Sequence, residues 1–296
     1  MRLPDIVLHE PETIAEACDL LNEYCPRSRV LAGGTDILVD LKQGRITDVE
    51  RLVSLKKIDG LDSIDETDDA IRIGALVTLN QASRDCLIKR HFPALIDALG
   101  SMAAYPVRSI ATVAGNIAGA VPSSDLAPFF IVAGGEAVLS SGDGERMVRI
   151  EDYFLGPRKT VCSECEIMTH LVLPKPGPAT GMSYHKFMLR EANALAVAGA
   201  GAMLTLQDGS QGTILESRIA LTAVAPKPVI ARDAAARLEG KPPSPEIFQE
   251  AGRIARREAK PISDIRGTDE YRADLVEVLT VRALNEALTR ARSGGA

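Results

Sequence analysis

The chain contains no tryptophan, and its aromatic residues make up only 4% of 296 positions. That scarcity removes the stacking platforms on which single-stranded nucleic acid is held. An excess of basic charge is missing too. The net charge of −6 leaves no basic face for a phosphate backbone, so no nucleic-acid partner is expected. No apolar run reaches the ~18 residues of a membrane span; the longest candidate, Ala194–Leu206, is short and rich in Gly and Ala. The first residues have no basic stretch leading into an apolar one, so no signal peptide is expected. Five cysteines at scattered positions (18, 25, 86, 162, 165) make a poor disulfide framework and fit a reducing cytoplasm. The four histidines (9, 91, 170, 185) form no metal-ligand array, and neither a P-loop nor a G-x-G-x-x-G occurs. No nucleophile elbow is present, because Ser140-Ser141-Gly142 lacks its preceding glycine.

What is present is the composition of an ordinary globular protein, with 46% hydrophobic and 25% charged residues, and a length suited to two domains with room for a small third. Apolar residues at helical spacing run from Glu12 to Tyr24, with Thr13 and Glu16 forming a capping box before them. A short strand, Arg29–Ala32, breaks at Gly33-Gly34-Thr35-Asp36, and Arg51–Leu55 reads as another, giving a small β-α-β-like unit. Beyond Lys56 come a strand at Ile71–Ala75, a helix capped by Thr78, a helix near Pro93–Met102, the small-residue segment Ile110–Ala120 and an apolar run at Leu126–Val132. A hairpin turns at Gly142-Asp143-Gly144, and a last strand, Ile167–Leu173, ends at the Pro/Gly cluster Pro174–Pro178. After it, antiparallel strands at Ala194–Leu206 and Ser217–Ala225 flank a turn at Gln207–Ser210. Helical stretches follow at Val229–Leu238, Pro245–Glu258 and Tyr271–Arg292, the last with an apolar stripe of Leu275, Val278, Leu279, Ala283 and Leu288.

Two glycine-rich turns are the candidates for chemistry. One is Ala32–Asp36, directly after a strand; the other is Thr112-Val-Ala-Gly115-Asn116, with Ser124-Asp125 downstream. Successive free N–H groups at such turns form an anion nest. Two of them from different units can cradle the two phosphates of one dinucleotide; equally, glycine turns simply end strands. Cys162-Ser-Glu-Cys165 has the spacing of a redox or metal pair, but no second pair completes a zinc or iron–sulfur site, and two incidental thiols are the expectation. With no catalytic side-chain set in view, a bound organic cofactor would carry the chemistry.

At these loops the sequence resembles the FAD-binding medium subunit of the molybdenum hydroxylases, the xanthine dehydrogenase and carbon monoxide dehydrogenase group. The resemblance rests on Ala32–Ile37, on Arg72-Ile-Gly-Ala-Leu-Val-Thr78, and on Arg108-Ser-Ile-Ala-Thr-Val-Ala-Gly-Asn-Ile117 with Val121-Pro-Ser-Ser-Asp-Leu-Ala-Pro128. Tyr184-His-Lys186-Phe-Met-Leu-Arg190 and Pro261-Ile-Ser-Asp-Ile-Arg-Gly-Thr-Asp-Glu-Tyr-Arg272 complete it. It covers nearly the whole chain and implies an α+β fold. A two-part FAD-binding domain of the PCMH type (1–56 and 57–175) would precede a C-terminal domain (176–296) of three antiparallel strands packed on helices.

The resemblance also implies roles. Leu31, Ala32, Gly33, Gly34, Thr35, Asp36 and Ile37 would hold the FAD pyrophosphate, with Ala103 among the contacts. Thr112, Gly115 and Asn116 would hold phosphate and ribitol from the other side, and Ser124 and Asp125 would take hydroxyls. Met168 would cover the flavin or adenine, and Lys186, Arg190 and Asn193 would tune the flavin ring. The implied partners are a large subunit with the molybdenum cofactor and a small subunit with two 2Fe–2S clusters, in a cytoplasmic dimer of heterotrimers. The chain itself would hold no metal: a 4Fe–4S cluster is not expected, because 126–151 has no cysteine. Ala114 departs from the family's usual glycine, and Asn193 and Ala194 stand where NAD-reducing members are acidic. The acceptor is therefore open among NAD, a quinone, oxygen and a protein carrier. The rival readings are a self-sufficient FAD oxidase of the same superfamily and a scaffold that has lost FAD.

Overall fold

The computed structural model describes residues 4–190, 193–207 and 212–293. Strand β1 (Val7–His9) leads to Thr13, whose hydroxyl accepts from Glu16 N at 3.1 Å and opens helix α1 (Ile14–Tyr24). Only half of the expected capping box forms, since the Glu16 carboxylate reaches back to Glu12 N at 2.9 Å instead of to Thr13. Strand β2 (Ser28–Leu31), helix α2 (Ile37–Lys42) and strand β3 (Arg51–Ser54) follow. The three strands pair in parallel in the order β1-β3-β2. The glycine turn therefore leaves the C-terminal end of a parallel strand, the end at which open α/β sheets receive ligands.

The next stretch opens with β4 (Ile64–Glu66) and β5 (Ala70–Gly74). It continues through helices α3 (Leu79–Arg84), α4 (Cys86–His91), α5 (Pro93–Gly100), α6 (Tyr105–Arg108), α7 (Val113–Ala118) and α8 (Leu126–Val132). It closes with β6 (Glu136–Ser141), β7 (Gly144–Arg149), the short α9 (Ile150–Tyr153), the ribbon β8 (Phe154–Gly156) and β9 (Lys159–Thr160), and β10 (Ile167–Pro174). The antiparallel order β4-β5-β10-β6-β7 puts the last strand in the middle of its sheet. Its apolar residues Ile167, Leu171 and Leu173 are fully enclosed, and so are Phe129 and Phe130 of α8, in one core that also takes Cys18 and Leu21 of α1. Burying that apolar surface is what joins the small parallel sheet to the larger antiparallel one.

The C-terminal part has the strands β11 (Thr180–Phe187), β12 (Ala198–Leu206) and β13 (Ile214–Thr222). These long antiparallel strands are joined at the edge by a fourth of two residues, β14 (Val229–Ile230), where the sequence pattern began a helix. That helix, α10, is confined to Arg232–Ala236, and the expected turn at 207–210 lies, past Gln207, outside the described residues. Helices α11 (Pro245–Glu258) and α12 (Asp269–Arg292) cover one face. A Cβ added at Gly181 would come within 2.0 Å of Ala287 O, so α12 lies directly on the β11 backbone. The buried stripe of α12 includes Val276, Leu279, Ala283, Leu284, Ala287 and Leu288; Val278, expected on it, points to solvent at 46% exposure. None of the described helices is long and apolar enough to cross a membrane.

Candidate functional site

The turn after β2 is shaped by two glycines with different duties. Gly34 takes φ +75°, a left-handed backbone that a side chain disfavours. Gly33 makes a close approach: a Cβ there would lie 2.2 Å from Ile110 O and 3.1 Å from Ala111 Cα. The two glycine-rich segments of the sequence thus meet backbone against backbone. Among the described residues, the N–H groups of Gly33, Gly34, Thr35 and Asp36 have no acceptor within the chain. They are the orphan donors of a nest, followed at once by α2.

The second segment is fixed from both sides. Val113 N donates to Val77 O at 3.0 Å and Leu79 N to Ala111 O at 2.9 Å, with Thr78 and Thr112 bridged across the gap. The buried Thr112 hydroxyl caps α7 by accepting from Gly115 N at 3.0 Å. Ala114, which replaces a glycine of the family pattern, has ordinary helical backbone within α7 and is absent from the left-handed positions, so the exchange costs nothing there. Ala103 is left-handed at φ +42°. Its carbonyl and that of Met102 are held by Arg108 Nη1 at 2.8 and 2.6 Å. Strain of this kind collects at ligand clamps.

From Asn116 the polar contacts run on into the C-terminal sheet. Ser124 Oγ donates to Asn116 Oδ1 at 2.7 Å. Next to it, Asp125 accepts from Tyr184 OH at 2.7 Å on one oxygen and from Lys186 Nζ at 2.9 Å on the other. The Lys186 and Asp125 side chains are 2% and 9% exposed. Burial pushes the Asp125 carboxyl above its ordinary range, while Lys186 and Tyr184 pull it back. The Tyr184 hydroxyl is pushed well above its ordinary value, first by burial and then by the adjoining carboxylate. The same junction is pinned by Thr222 Oγ1, which donates to Ser124 O at 2.8 Å.

The structure therefore brings 31–37, Thr112, Gly115, Asn116, Ser124, Asp125 and Lys186 into one run of contacts. Asp125, expected to take ligand hydroxyls, already holds two donors from the C-terminal sheet. Met168 is buried on β10 within the larger core. Arg190 and Asn193 lie on the connection from β11 to β12, where Arg190 Nη2 donates to Asn193 O at 2.7 Å and Asn193 takes φ +52°. Tyr184 and Arg158 were missed from sequence. Tyr184 had a signal, since it precedes Lys186 by two along a strand and so shares its face. Arg158 ties α2 to the larger lobe, with Nη1 2.5 Å from Asp40 Oδ2 and its N–H donating to Ala120 O at 2.9 Å.

A backbone nest at the end of a parallel strand, closed by a second glycine-rich segment and backed by an antiparallel sheet, defines a dinucleotide-binding α+β protein. The chain belongs to the family of the FAD binding domain in molybdopterin dehydrogenase, whose model matches residues 4–176. Residues 183–287 match the CO dehydrogenase flavoprotein C-terminal domain. The chain is 30% identical to the carbon monoxide dehydrogenase medium chain of Hydrogenophaga pseudoflava over 287 residues, covering 97% of this chain and 98% of that one. It is 29% identical to the xanthine dehydrogenase FAD-binding subunit of Escherichia coli O157:H7 over 289 residues, with 96% of each covered. Among solved structures, carbon monoxide dehydrogenase from Hydrogenophaga pseudoflava lacking the Mo-pyranopterin moiety superposes with a TM-score of 0.93 at 30% identity, over 98% of this chain and 99% of that one. The residues present fit FAD: the unpaired N–H groups at 33–36 suit a pyrophosphate, and the Gly33 contact closes the cradle from the second segment.

Proposed function

We propose that this chain is the FAD-bearing electron-transfer subunit of a multi-subunit molybdenum hydroxylase. Its partners would be a large subunit with the molybdenum cofactor, where substrate is oxidised, and a small subunit with two 2Fe–2S clusters, in a cytoplasmic dimer of heterotrimers. The observation that carries the reading is the backbone contact of Gly33 with Ile110, which turns two separate loops into one cradle. FAD bound there would accept electrons singly and release them in pairs to an external acceptor.

The chain's own part is binding and electrostatics. The N–H groups of 33–36, flanked by Leu31, Ala32 and Ile37, donate to the pyrophosphate. Thr112 holds Gly115 N and so orients the start of α7. Asn116, its side-chain oxygen held by Ser124, would keep its amide nitrogen free to donate to the nucleotide. Ala103 would present backbone, and Met168, buried on β10, would act as apolar backing. Lys186, paired with Asp125, would supply a moderated positive field to the flavin, and Arg190 and Asn193 would tune its ring. The division into 1–56, 57–175 and 176–296 follows these roles. A self-sufficient FAD oxidase would need its own substrate pocket beside the flavin.

The test is affinity purification of a tagged copy from the cells of origin. Recovery of two partner chains with molybdenum, iron and FAD is expected. A lone chain that oxidises a substrate unaided would contradict the assignment.

A further inference from the structure

The pyrophosphate cradle is built from uncharged donors. Neither 31–37 nor 112–116 contains a lysine or an arginine. Two nearby cations are engaged elsewhere: Arg108 gives Nη1 to the Met102 and Ala103 carbonyls, and Lys186 is held by Asp125. The nest itself adjoins charge of the wrong sign. Asp36 closes it and Asp40 follows one turn into α2, with Asp40 N donating to Asp36 O at 3.0 Å. Residues four apart share a helix face, so two carboxylates stand together beside the N–H groups that would meet a phosphate. Left alone, they repel the anion those groups attract.

Arg158 answers that charge from another part of the chain. It lies in the turn between β8 and β9, and its Nη1 is 2.5 Å from Asp40 Oδ2, while Arg45 Nη1 takes Oδ1 at 3.1 Å. The Asp40 side chain is 4% exposed and that of Arg158 50%, so the carboxylate is sealed and the guanidinium stays open. The Arg158 backbone is left-handed at φ +56°, and its N–H donates to Ala120 O at 2.9 Å. Ala120, just past the end of α7, is left-handed too, at φ +43°. The arginine is thus fixed between α2 and the helix that Thr112 caps, in backbone strain of the kind that collects at ligand clamps. Partial withdrawal from water pushes the Asp36 carboxyl above its ordinary range, Arg158 pulls it back, and Asp40 adds to the rise.

We propose that Arg158 is the counter-cation of the pyrophosphate site, the residue that brings the charge beside the Gly33 turn into balance and so lets the turn accept an anionic dinucleotide. The inference rests on the cradle reading above. With Arg158 and Arg45 present, two guanidiniums face the carboxylates of Asp36 and Asp40. Without Arg158, one carboxylate is left unbalanced next to a ligand of the same sign. Arg158 acts on the ligand through its field, and a field at a half-exposed site is screened by salt. A residue that only tied α2 to the β8–β9 turn would leave a loss of affinity that salt does not change.

The experiment titrates FAD into the full-length chain stripped of flavin and follows flavin fluorescence at low and high ionic strength. Arg158→Gln is expected to weaken FAD binding about tenfold at low salt, the scale of one charge pair near a protein surface. That deficit narrows as salt rises. Arg158→Lys keeps most of the affinity, and adding Asp36→Asn to Arg158→Gln restores most of what the glutamine removed. Asp36→Asn alone tightens FAD at low salt, which carries the test if the Arg158→Gln chain does not fold. An Arg158→Gln chain that binds FAD as tightly as wild type overturns the proposal and leaves the cradle standing. So does a deficit that is equal at all ionic strengths and is not relieved by Asp36→Asn. A wild-type chain with no affinity for FAD overturns the cradle and the counter-cation with it.

Discussion

Lys186 Nζ sits 2.9 Å from Asp125 Oδ2, and both side chains are almost wholly withdrawn from water. One residue comes from the C-terminal sheet and the other from the cap of α8, so the pair is a charged joint between the antiparallel sheet and the cradle side of the chain. Removing one member strands the other charge. Lys186→Met is expected to cost about 3–5 kcal/mol, as breaking a buried pair does. The double variant with Asp125→Leu recovers part of that loss, the rest being kept by the Tyr184 hydroxyl, which loses its acceptor. Urea unfolding of the two variants checks this, and a single-variant cost near zero would show that the charges are solvated.

Arg272 is only 2% exposed and leans on Asp264, with Nη2 2.5 Å from Oδ1, and on the carbonyls of Val197 and Ala223. Arg266 first, and then Arg272, hold the Asp264 carboxyl well below its ordinary range. A depressed carboxyl stabilises the fold above the unfolded value of about 3.9 and loses that contribution as pH falls toward the folded one. Asp264→Asn is therefore expected to cost about 2 kcal/mol at neutral pH. Its deficit against wild type should be constant above about pH 5 and narrow progressively as pH falls below about 4. Denaturation at pH 7 and pH 3.5 measures the gap; a deficit that does not change with pH would rule out the ionised carboxylate as its source.

Thr112 satisfies the Gly115 N–H at the mouth of the cradle. Thr112→Ala is expected to cost about 1 kcal/mol, the usual loss of an N-cap hydroxyl, and Thr112→Ser nearly nothing. Thermal unfolding of the pair distinguishes a lost cap from lost methyl packing, which would make the serine variant the equal of the alanine.

Much of the architecture is legible because it is local. Ser244, Pro245 and the apolar spacing after them mark both ends of α11, and Ser244 Oγ accepts from Ile247 N as an N-cap should. The break at Gly33-Gly34 marks the end of β2 in the same way. What escapes is set by pairing across the chain. Val229 and Ile230 become a strand only because Leu221 and Ala220 lie beside them. Tyr184 shares a strand face with Lys186, which the spacing of two announces, but that both meet Asp125 is set by tertiary packing. The cysteines make the same point: the local C-x-x-C catches the eye, yet Cys162 Sγ contacts backbone carbonyls of its own loop, Ser163 O and Glu166 O. Met168 and Lys186 took their expected roles from family likeness, and the geometry adds that Lys186 is already paired.

The most direct measurement is FAD binding by the purified chain and by Gly33→Ala, with Gly100→Ala as the control. A Cβ at Gly33 would strike Ile110 O, whereas one at Gly100 meets nothing within 4 Å. The account predicts about one FAD per chain for wild type and Gly100→Ala, and a Gly33→Ala chain that folds but loses the yellow cofactor. A wild-type chain that takes up no FAD, alone or with its partners, would contradict it, as would a Gly33→Ala chain that binds FAD as tightly as wild type.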